Sequence, residues 1–488
     1  MQRDFAALLE TCRRGGVEVR SDSRVVSRGD IFVAVPGVNE DGARFIPAAV
    51  AAGAAVIVCR PGGPEEGAVR NAAGAGGCRV VHHDDPREAL WRLAEARWRT
   101  DALRVRVLGV TGTNGKTTSA YLLERLFAEA GHKVGVLGTV SYRWPGHCET
   151  APLTTPDPLK VHSMLARMDA AGVDVAVMEV SSHAIEQQRV CGVPFAGAAF
   201  TNLTQDHLDF HKNMESYFKT KARLFLELPR TEKAMAVNAD DPWGRRLLEL
   251  CPRALSFGLQ QGPPRRRHLR GELLSAGTGG CHLRMHLEGR TWELRSPLVG
   301  AFNASNLLTA QALALESGMD PERFAALEGF TGVCGRLERV TNPQGLNVFV
   351  DYAHTPDALV NVLKALRGAG FKRIIAVFGC GGNRDRGKRP LMGEAVARYA
   401  DVAVLTSDNP RFEEPQAILR DVLPGLRGAR EVLVEVDRRA ATAKALDMLD
   451  KDGALLIAGK WHEDYQIIQG VKHHYSDQEV VRELLHCA

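Results

Sequence analysis

The chain has 488 residues, 45% hydrophobic and 25% charged, and its 62 Lys plus Arg against 58 Asp plus Glu leave a formal charge of +4. At about 100 to 200 residues per domain this is ordinary globular material for three or four domains, and wholesale disorder is excluded. So small a charge also argues against a coat for nucleic acid or for an anionic membrane surface.

The first residues, MQRDFAALLE, lack the charged-then-apolar layout of a signal peptide. The longest apolar run, Ala48–Cys59, falls short of the roughly 20 residues of a membrane span. Ten cysteines are scattered without a CxxC pair or a Cys/His grid, so they read as reduced thiols filling cores, without a structural zinc site. A cytoplasmic protein that engages neither membrane nor nucleic acid is expected.

Apolar β-type runs, glycine loops and helical stretches alternate along the chain, the rhythm of α/β layering with parallel sheets. A first block, 1–99, holds short strands at Ile31–Val35 and Ala55–Val58 and an Ala/Gly-rich surface loop over 62–77. A second, 100–332, opens with the strand Val105–Val110. Its Arg265–Arg267 run sits among Pro and Gly and reads as a solvated loop rather than a nucleic-acid patch. A third, 333–488, alternates cleanly. Strands are expected at Asn347–Val350, Arg373–Phe378, Val402–Leu405, Glu431–Val436 and Ala454–Ile457, with helices at Pro356–Arg367, Pro390–Tyr399, Gln416–Leu423 and Arg438–Leu449. That pattern is a doubly wound sheet on its own. The expected fold class is α/β in three domains: a small α/β N-terminal domain, a central nucleotide-binding parallel sheet and a C-terminal Rossmann-like domain.

The second block carries the clearest chemistry. The strand Val105–Val110 runs into Thr111-Gly-Thr-Asn-Gly-Lys-Thr-Thr118 and then into the helical Ser119–Glu129. Strand, glycine loop, helix is the context of a phosphate loop, in which backbone N–H groups and a helix N-terminus face an anion. Gly112 and Gly115 admit close backbone approach, Lys116 supplies a cation to the β/γ-phosphates, and Thr117 a hydroxyl to Mg²⁺. The strict G-x-x-x-x-G-K-[ST] pattern would place glycine at Val110, so this loop is a variant. Two further strands end in polar residues. Asp174–Met178 leads into Glu179-Val-Ser-Ser-His183, and Glu179 stands where a metal-binding carboxylate would. Ala196–Phe200 leads into Asn202, Asp206, His207 and Asp209. Lys221, read by itself, is a solvated lysine on a helix.

TGTNGKTT, EVSSHAIEQQRV, NLTQDHLDFH, YFKTKARLF, GAFNASNLLTA, GRLERV, DYAHTPDAL, FGCGGNRDRGKRPLMG, SDNPR and GKWHEDYQ follow one another nearly end to end. Together they resemble the Mur ligase family, above all its diaminopimelate-adding members, and SDSRVVSRGDIFVAVPG is similar to that family's uridine-nucleotide domain. The resemblance implies an ATP-dependent amide ligase, a monomer, that joins meso-diaminopimelate to UDP-MurNAc-L-Ala-D-Glu through an acyl phosphate, with two Mg²⁺ ions. It implies that ATP meets Gly112, Thr113, Asn114, Gly115, Lys116, Thr117, Thr118, Asn303, Arg336 and Asp351, and that Thr117, Glu179, His207 and Lys221 serve the metal. Lys221 matches the family's carbamylated lysine, N6-carboxylysine. Ser23, Thr154, Thr155, Ser181, Gln187 and Arg189 would hold the UDP-muramoyl substrate. Arg384, Asp408, Asn409, Pro410, Arg411, Gly459 and Glu463 would hold the acceptor.

Arg411 offers a planar fork for the far carboxylate that distinguishes diaminopimelate from lysine, and Asp408 or Glu463 can take the ammonium. Two positions depart from the family pattern. Trp461 replaces a usual glycine beside Gly459 and Glu463, and Leu153 stands where Asn is common before Thr154. The acceptor therefore stays open between diaminopimelate and lysine or another diamino acid. A folyl-polyglutamate-type ligase is disfavoured by the DSR block and Arg411. A phosphate-loop regulator would need neither Lys221, nor DNPR, nor a third doubly wound domain.

Overall fold

A computed structural model describes residues 2–37, 40–62, 78–264, 266–277, 279–330, 332–333, 335, 337–460 and 465–486. Contacts group the chain into two compact units, 1–269 with 309–323, and 270–308 with 324–488.

The first unit holds two sheets. The N-terminal one is parallel, β1 (Val19–Arg20), β2 (Ile31–Val33), β3 (Val56–Cys59) and β4 (Arg79–His82) in that order. The helix Pro86–Trp98 covers it, burying Ala89, Leu90, Leu93 and Ala96 at helical spacing. The larger sheet runs β12 (Leu255–Gly258), β11 (Pro229–Asn238), β10 (Phe195–Phe200), β5 (Arg106–Thr111), β9 (Val175–Glu179), β6 (Val134–Leu137), β7 (Ser141–Trp144), β8 (His147–Thr150). Its first six strands are parallel, and β7 and β8 append an antiparallel edge. Val107, Ala176, Met178, Phe195 and Ala198 lie in its main core. Burial on both faces explains why these strands read as continuous apolar runs. From β5 the chain first winds to one side, through β6 and β9, and then to the other, through β10 to β12. The carboxyl ends of β5, β9 and β10 therefore border a topological switch point, where such sheets bind ligands.

The second unit contains an antiparallel meander, β13 (His268–Gly277), β14 (Gly280–Leu287) and β15 (Arg290–Ser296). A six-stranded sheet follows, in the order β16 (Glu338–Arg339), β17 (Val348–Asp351), β21 (Ala454–Ala458), β18 (Ile374–Phe378), β19 (Val402–Leu405), β20 (Glu431–Val434). All of its pairs are parallel except β16 with β17. Helices Pro356–Gly368, Lys388–Tyr399 and Pro415–Val422 pack on one face, and Arg438–Asp447 and Asp477–His486 on the other. A short hairpin, β22 (Tyr465–Ile468) and β23 (Val471–His474), lies near the end. The α/β class and the parallel sheets agree with expectation. The expected third-block strands and helices all form, with ends moved by up to two residues.

One expectation changes. The helix after the phosphate loop begins at Lys116, not Ser119. In the run expected to be a solvated loop, Arg266 Nη1 donates to Cys251 O at 3.1 Å and the exposed Arg267 pairs through Nη1 with Glu316 at 2.7 Å, while Arg265 lies outside the described residues. The expected 62–77 loop lies almost wholly outside the described residues. Of the eight described cysteines, Cys12, Cys59, Cys78, Cys251, Cys281 and Cys380 are buried and none is bonded to another.

Candidate active site

The phosphate loop leaves β5 at Thr111. Gly115 (φ 84°) turns the chain into the helix Lys116–Glu129, whose first N–H groups have no intrahelical acceptor. Gly112 lies at φ 151°, and a Cβ there would meet Thr201 Oγ1 at 1.9 Å. Only glycine fits that approach. Lys116 Nζ donates to Gly112 O at 2.9 Å and Thr113 O at 2.8 Å, so its charge lies over the loop it belongs to.

The segment after β10 braces this loop. Thr201 Oγ1 donates to Asn114 O at 2.6 Å, Asn114 N donates to Asn202 Oδ1 at 2.9 Å, and Thr113 N donates to Asn202 O at 2.9 Å. Thr204 N donates to Thr113 Oγ1 at 3.0 Å. This bracing by Thr201 and Thr204 was not anticipated from sequence. Its trace there is a hydroxyl-rich T-N-L-T run directly after a buried strand.

Glu179, at the end of β9, is fully buried. Its carboxylate accepts Thr117 Oγ1 and Thr139 Oγ1 at 2.9 Å and Thr139 N at 2.8 Å. Gly138 makes room for it, since a Cβ there would lie 2.3 Å from Glu179 Oε1. A hydroxyl and a carboxylate thus converge beside a phosphate loop, the hard oxygen donors that suit Mg²⁺. Among the described residues no three His, Cys, Asp or Glu side chains form a ready-made metal cage.

Lys221 is the largest correction to the residue-only reading. It is 1% exposed, not solvated. Its Nζ donates to Gly112 O at 2.9 Å and lies 4.8 Å from the Tyr217 ring centre. Burial first, and then the Lys116 charge, push its amine well below the usual lysine range, with Asp206 opposing. The surroundings therefore favour the neutral form of this amine more than water does. His207 adopts a left-handed backbone (φ 53°), holds Nε2 3.2 Å from Asp206 Oδ2, and packs edge-on to His183 with ring centres 4.7 Å apart. The side chain of Asp209 is outside the description.

A second cluster adjoins Glu179. Thr155 Oγ1 donates to Glu179 O at 2.8 Å and Ser181 N donates to Thr155 Oγ1 at 3.1 Å. Arg189 reaches Thr155 O at 3.1 Å and Gln187 Oε1 at 2.6 Å. Thr154 Oγ1 lies 3.2 Å from Thr139 Oγ1. Five of the six expected muramoyl-side residues thus come together. Ser23 lies in the turn Ser23–Val25 behind the Asp22 cap and shares no hydrogen bond with them among the described residues. Leu153 is exposed, and its carbonyl accepts Tyr142 Oη at 2.5 Å.

In the second unit, Asn303 donates to Val299 O at 2.9 Å, and Asp351 accepts Leu337 N at 2.6 Å and Ala353 N at 2.8 Å. The described ones among the expected acceptor residues follow the carboxyl ends of β18, β19 and β21. Asn409 is buried and accepts Lys460 Nζ at 3.1 Å and Ile467 N at 2.8 Å. Asp408 is 8% exposed, and its Oδ2 is a buried atom without a hydrogen-bond partner among the described residues. It lies 3.0 Å from where a Cβ on Gly459 (φ 113°) would stand. Arg411, at φ 54°, donates from Nη1 to Gly382 O at 2.8 Å. Arg384 is exposed on the preceding loop. Arg336, Trp461 and Glu463 lie outside the described residues.

Three family models match the chain. "Mur ligase family, catalytic domain" spans residues 18–98, "Mur ligase middle domain" 110–314, and "Mur ligase, glutamate ligase domain" 335–461. The chain belongs to the Mur ligase family. Among the relatives of this Mur ligase is the UDP-N-acetylmuramoyl-L-alanyl-D-glutamate–2,6-diaminopimelate ligase of Lawsonia intracellularis, 52% identical over 96% of this chain and 95% of the relative. The ligase of the same name from Gloeobacter violaceus is 45% identical over 95% and 93%. A solved structure titled as such a ligase superposes with a TM-score of 0.67 at 31% identity, over 96% of this chain and 94% of that one. Among the described residues no helix is long and apolar enough to cross a membrane.

Proposed function

We propose that this Mur ligase uses ATP to join meso-diaminopimelate to the D-glutamate carboxylate of UDP-MurNAc-L-Ala-D-Glu, releasing ADP and phosphate, in the synthesis of peptidoglycan precursors. The observation that carries the reading is full-length similarity, at 52% and 45% identity, to relatives bearing that name, together with a phosphate loop and a buried carboxylate in one site.

Amide formation from a carboxylate is uphill in water, and the carboxylate is a poor electrophile. Attack of a carboxylate oxygen on the γ-phosphorus, with ADP leaving, gives an acyl phosphate. The acceptor amine then adds to its carbonyl carbon, the carbon–oxygen bond to phosphate breaks, and the proton lost by the nitrogen leaves with the phosphate or to solvent. The first step brings two anions together, so catalysis is charge stabilisation plus positioning. Lys116 and the N–H groups of the loop face the phosphates. Thr117, Glu179 and His207, with Lys221 as its carbamate, would hold two Mg²⁺ ions. Bound there, the metal would screen the phosphate charge. Lys221 suits carbamate formation because its buried amine favours the neutral form. The neutral nitrogen adds to CO₂, and one proton leaves to solvent. Asn303, Arg336 and Asp351 would contact the nucleotide.

Thr154, Thr155, Ser181, Gln187 and Arg189 would grip the muramoyl peptide, with Ser23 at the uridine. The orphaned Asp408 Oδ2 suits an ammonium group and the Arg411 guanidinium suits a carboxylate, and diaminopimelate presents both. Arg384, Asn409, Pro410, Gly459 and Glu463 would complete that pocket. We assign the uridine-nucleotide, ATP and acceptor domains to 1–99, 100–332 and 333–488. Each family match falls inside one of these ranges. We further propose a cytoplasmic monomer that engages neither membrane nor nucleic acid. The test is phosphate release with all three substrates and with each omitted in turn. Release that needs all three, and is lost in Lys116→Ala, is expected. Release that ignores the acceptor or the nucleotide sugar would contradict the reading.

A further inference from the structure

The proposed acceptor pocket is built from two loops, 379–387 after β18 and 406–413 after β19. Four hydrogen bonds stitch them together. Gly382 N donates to Asn409 O at 2.9 Å, Arg411 Nη1 donates to Gly382 O at 2.8 Å, Phe412 N donates to Asn383 Oδ1 at 3.1 Å, and Asn383 N donates to Glu413 Oε1. The loops touch closely, since a Cβ on Gly382 would lie 1.9 Å from Pro410 O. Both Asn383 (φ 52°) and Arg411 (φ 54°) hold left-handed backbones. Side-chain-bearing residues keep that conformation only where their surroundings over-determine it.

What over-determines it is Arg389. This side chain is fully buried in the first turn of the helix Lys388–Tyr399, and no substrate role accounts for it. Its Nη1 lies 2.9 Å from Glu413 Oε2 and its Nη2 2.8 Å from Glu413 Oε1, a bidentate fork. Nη1 also meets Asp421 Oδ2 at 2.8 Å, and Nη2 meets Gly381 O at 3.4 Å. One guanidinium therefore binds a carbonyl of the first loop, a carboxylate of the second, and the helix beyond. The Arg389 hydrogen bonds, followed by the Asn383 N–H, hold the Glu413 carboxyl down at about 2, so the clamp stays charged across the physiological range. Lysine could not replace it, because a point charge has no fork.

We propose that Arg389 and Glu413 are positioning residues for acceptor choice, fixing loop 406–413 so that Arg411 and Asp408 are presented together. The proposal rests on the acceptor reading above. Glu413→Gln is the informative variant, because Glu413 lies at the surface end of the clamp and Arg389 keeps Asp421. Loosened placement of Arg411 is expected to raise the KM for meso-diaminopimelate about tenfold or more, since a displacement near 1 Å can cost about a hundredfold. It should also narrow the preference for diaminopimelate over L-lysine. The KM values for ATP and UDP-MurNAc-L-Ala-D-Glu, and kcat at saturating acceptor, should stay within about threefold, as both are set elsewhere. Asp421→Asn removes an Arg389 partner that does not touch loop 406–413, although Arg386 of loop 379–387 also donates to it at 3.1 Å, and should raise the acceptor KM much less than Glu413→Gln. Glu413→Asp, which keeps the charge on a shorter arm, should be intermediate, and serves if Glu413→Gln does not fold. Turnover by wild type with an unchanged acceptor KM in the Glu413 variants would overturn the clamp. An equal rise in Asp421→Asn would do the same, reducing it to general stability. Wild type that turns over no acceptor would overturn the acceptor reading instead, and the clamp's role with it.

Discussion

Replacing Lys221 by Met separates chemistry from stability at a single buried atom. Lys221 Nζ donates one good hydrogen bond, to Gly112 O at 2.9 Å, and stands 3.5 Å from Thr111 Oγ1. Gly112 O keeps Lys116 Nζ at 2.9 Å, so the substitution orphans no buried carbonyl. The lost bond is worth about 1 kcal/mol net. Removing a buried amine offsets part of that, because its burial is costly. Stability should therefore change by no more than about 1 kcal/mol. Activity should behave differently. If Lys221 acts as a carbamate beside the phosphate loop, losing that charge should lower kcat by about 10²–10³, or roughly 3–4 kcal/mol of barrier, as for other preorganised groups facing developing charge. Phosphate release gives kcat, and the urea midpoint of the first unit gives stability. Wild type should also lose rate in CO₂-depleted buffer and recover it with bicarbonate, and Lys221→Met should respond to neither. A variant within tenfold of wild type would refute the reasoning. So would a stability loss above about 3 kcal/mol that accounts for the lost activity.

Three further outcomes follow from the geometry. Glu179→Gln keeps the shape but loses the charge that faces Thr117 and Thr139, so phosphate release should fall about a hundredfold with the fold retained, as circular dichroism would check. Gly138→Ala puts a methyl 2.3 Å from Glu179 Oε1, and should lower kcat for every acceptor alike, measured by phosphate release. His162 sets a pH dependence. It is fully buried between Thr100 Oγ1 at 2.6 Å and Cys191 O at 3.0 Å, and burial pushes it down to about 4. The folded ring stays neutral to about pH 4, while the unfolded chain binds its proton from about pH 6.5. Stability is therefore full above about 6.5 and falls through that window, by about 3 kcal/mol in total. His162→Gln should flatten the slope in urea titrations between pH 7 and 4.

Much of this was legible because fully buried parallel strands announce themselves. Val402–Leu405 and Ile374–Phe378 are uninterrupted apolar runs buried on both faces, and their carboxyl ends locate the acceptor loops. The phosphate loop was legible for the same reason, from a strand, glycines and a helix in sequence. The meander β13–β15 was missed, although Cys281, Leu283, Met285 and Leu287 alternate inward at period two. A half-exposed antiparallel sheet leaves only that weaker trace. Lys221 and Arg389 were illegible in kind. No local pattern separates a buried cation from a solvated one, because burial is decided by the strands and loops that fold over it. Lys221 is enclosed by Thr111, Gly112 and Tyr217, far from it in the chain or one turn away. Arg389 depends on Glu413 and Asp421, a loop and a helix downstream.

Acceptor choice tests the account most directly. ATP-dependent phosphate release with UDP-MurNAc-L-Ala-D-Glu should proceed with meso-diaminopimelate and be weak with L-lysine, because lysine leaves the Arg411 guanidinium without its carboxylate. Turnover with lysine and not diaminopimelate would contradict the reading of Asp408 and Arg411, and release with neither would contradict the ligase assignment itself.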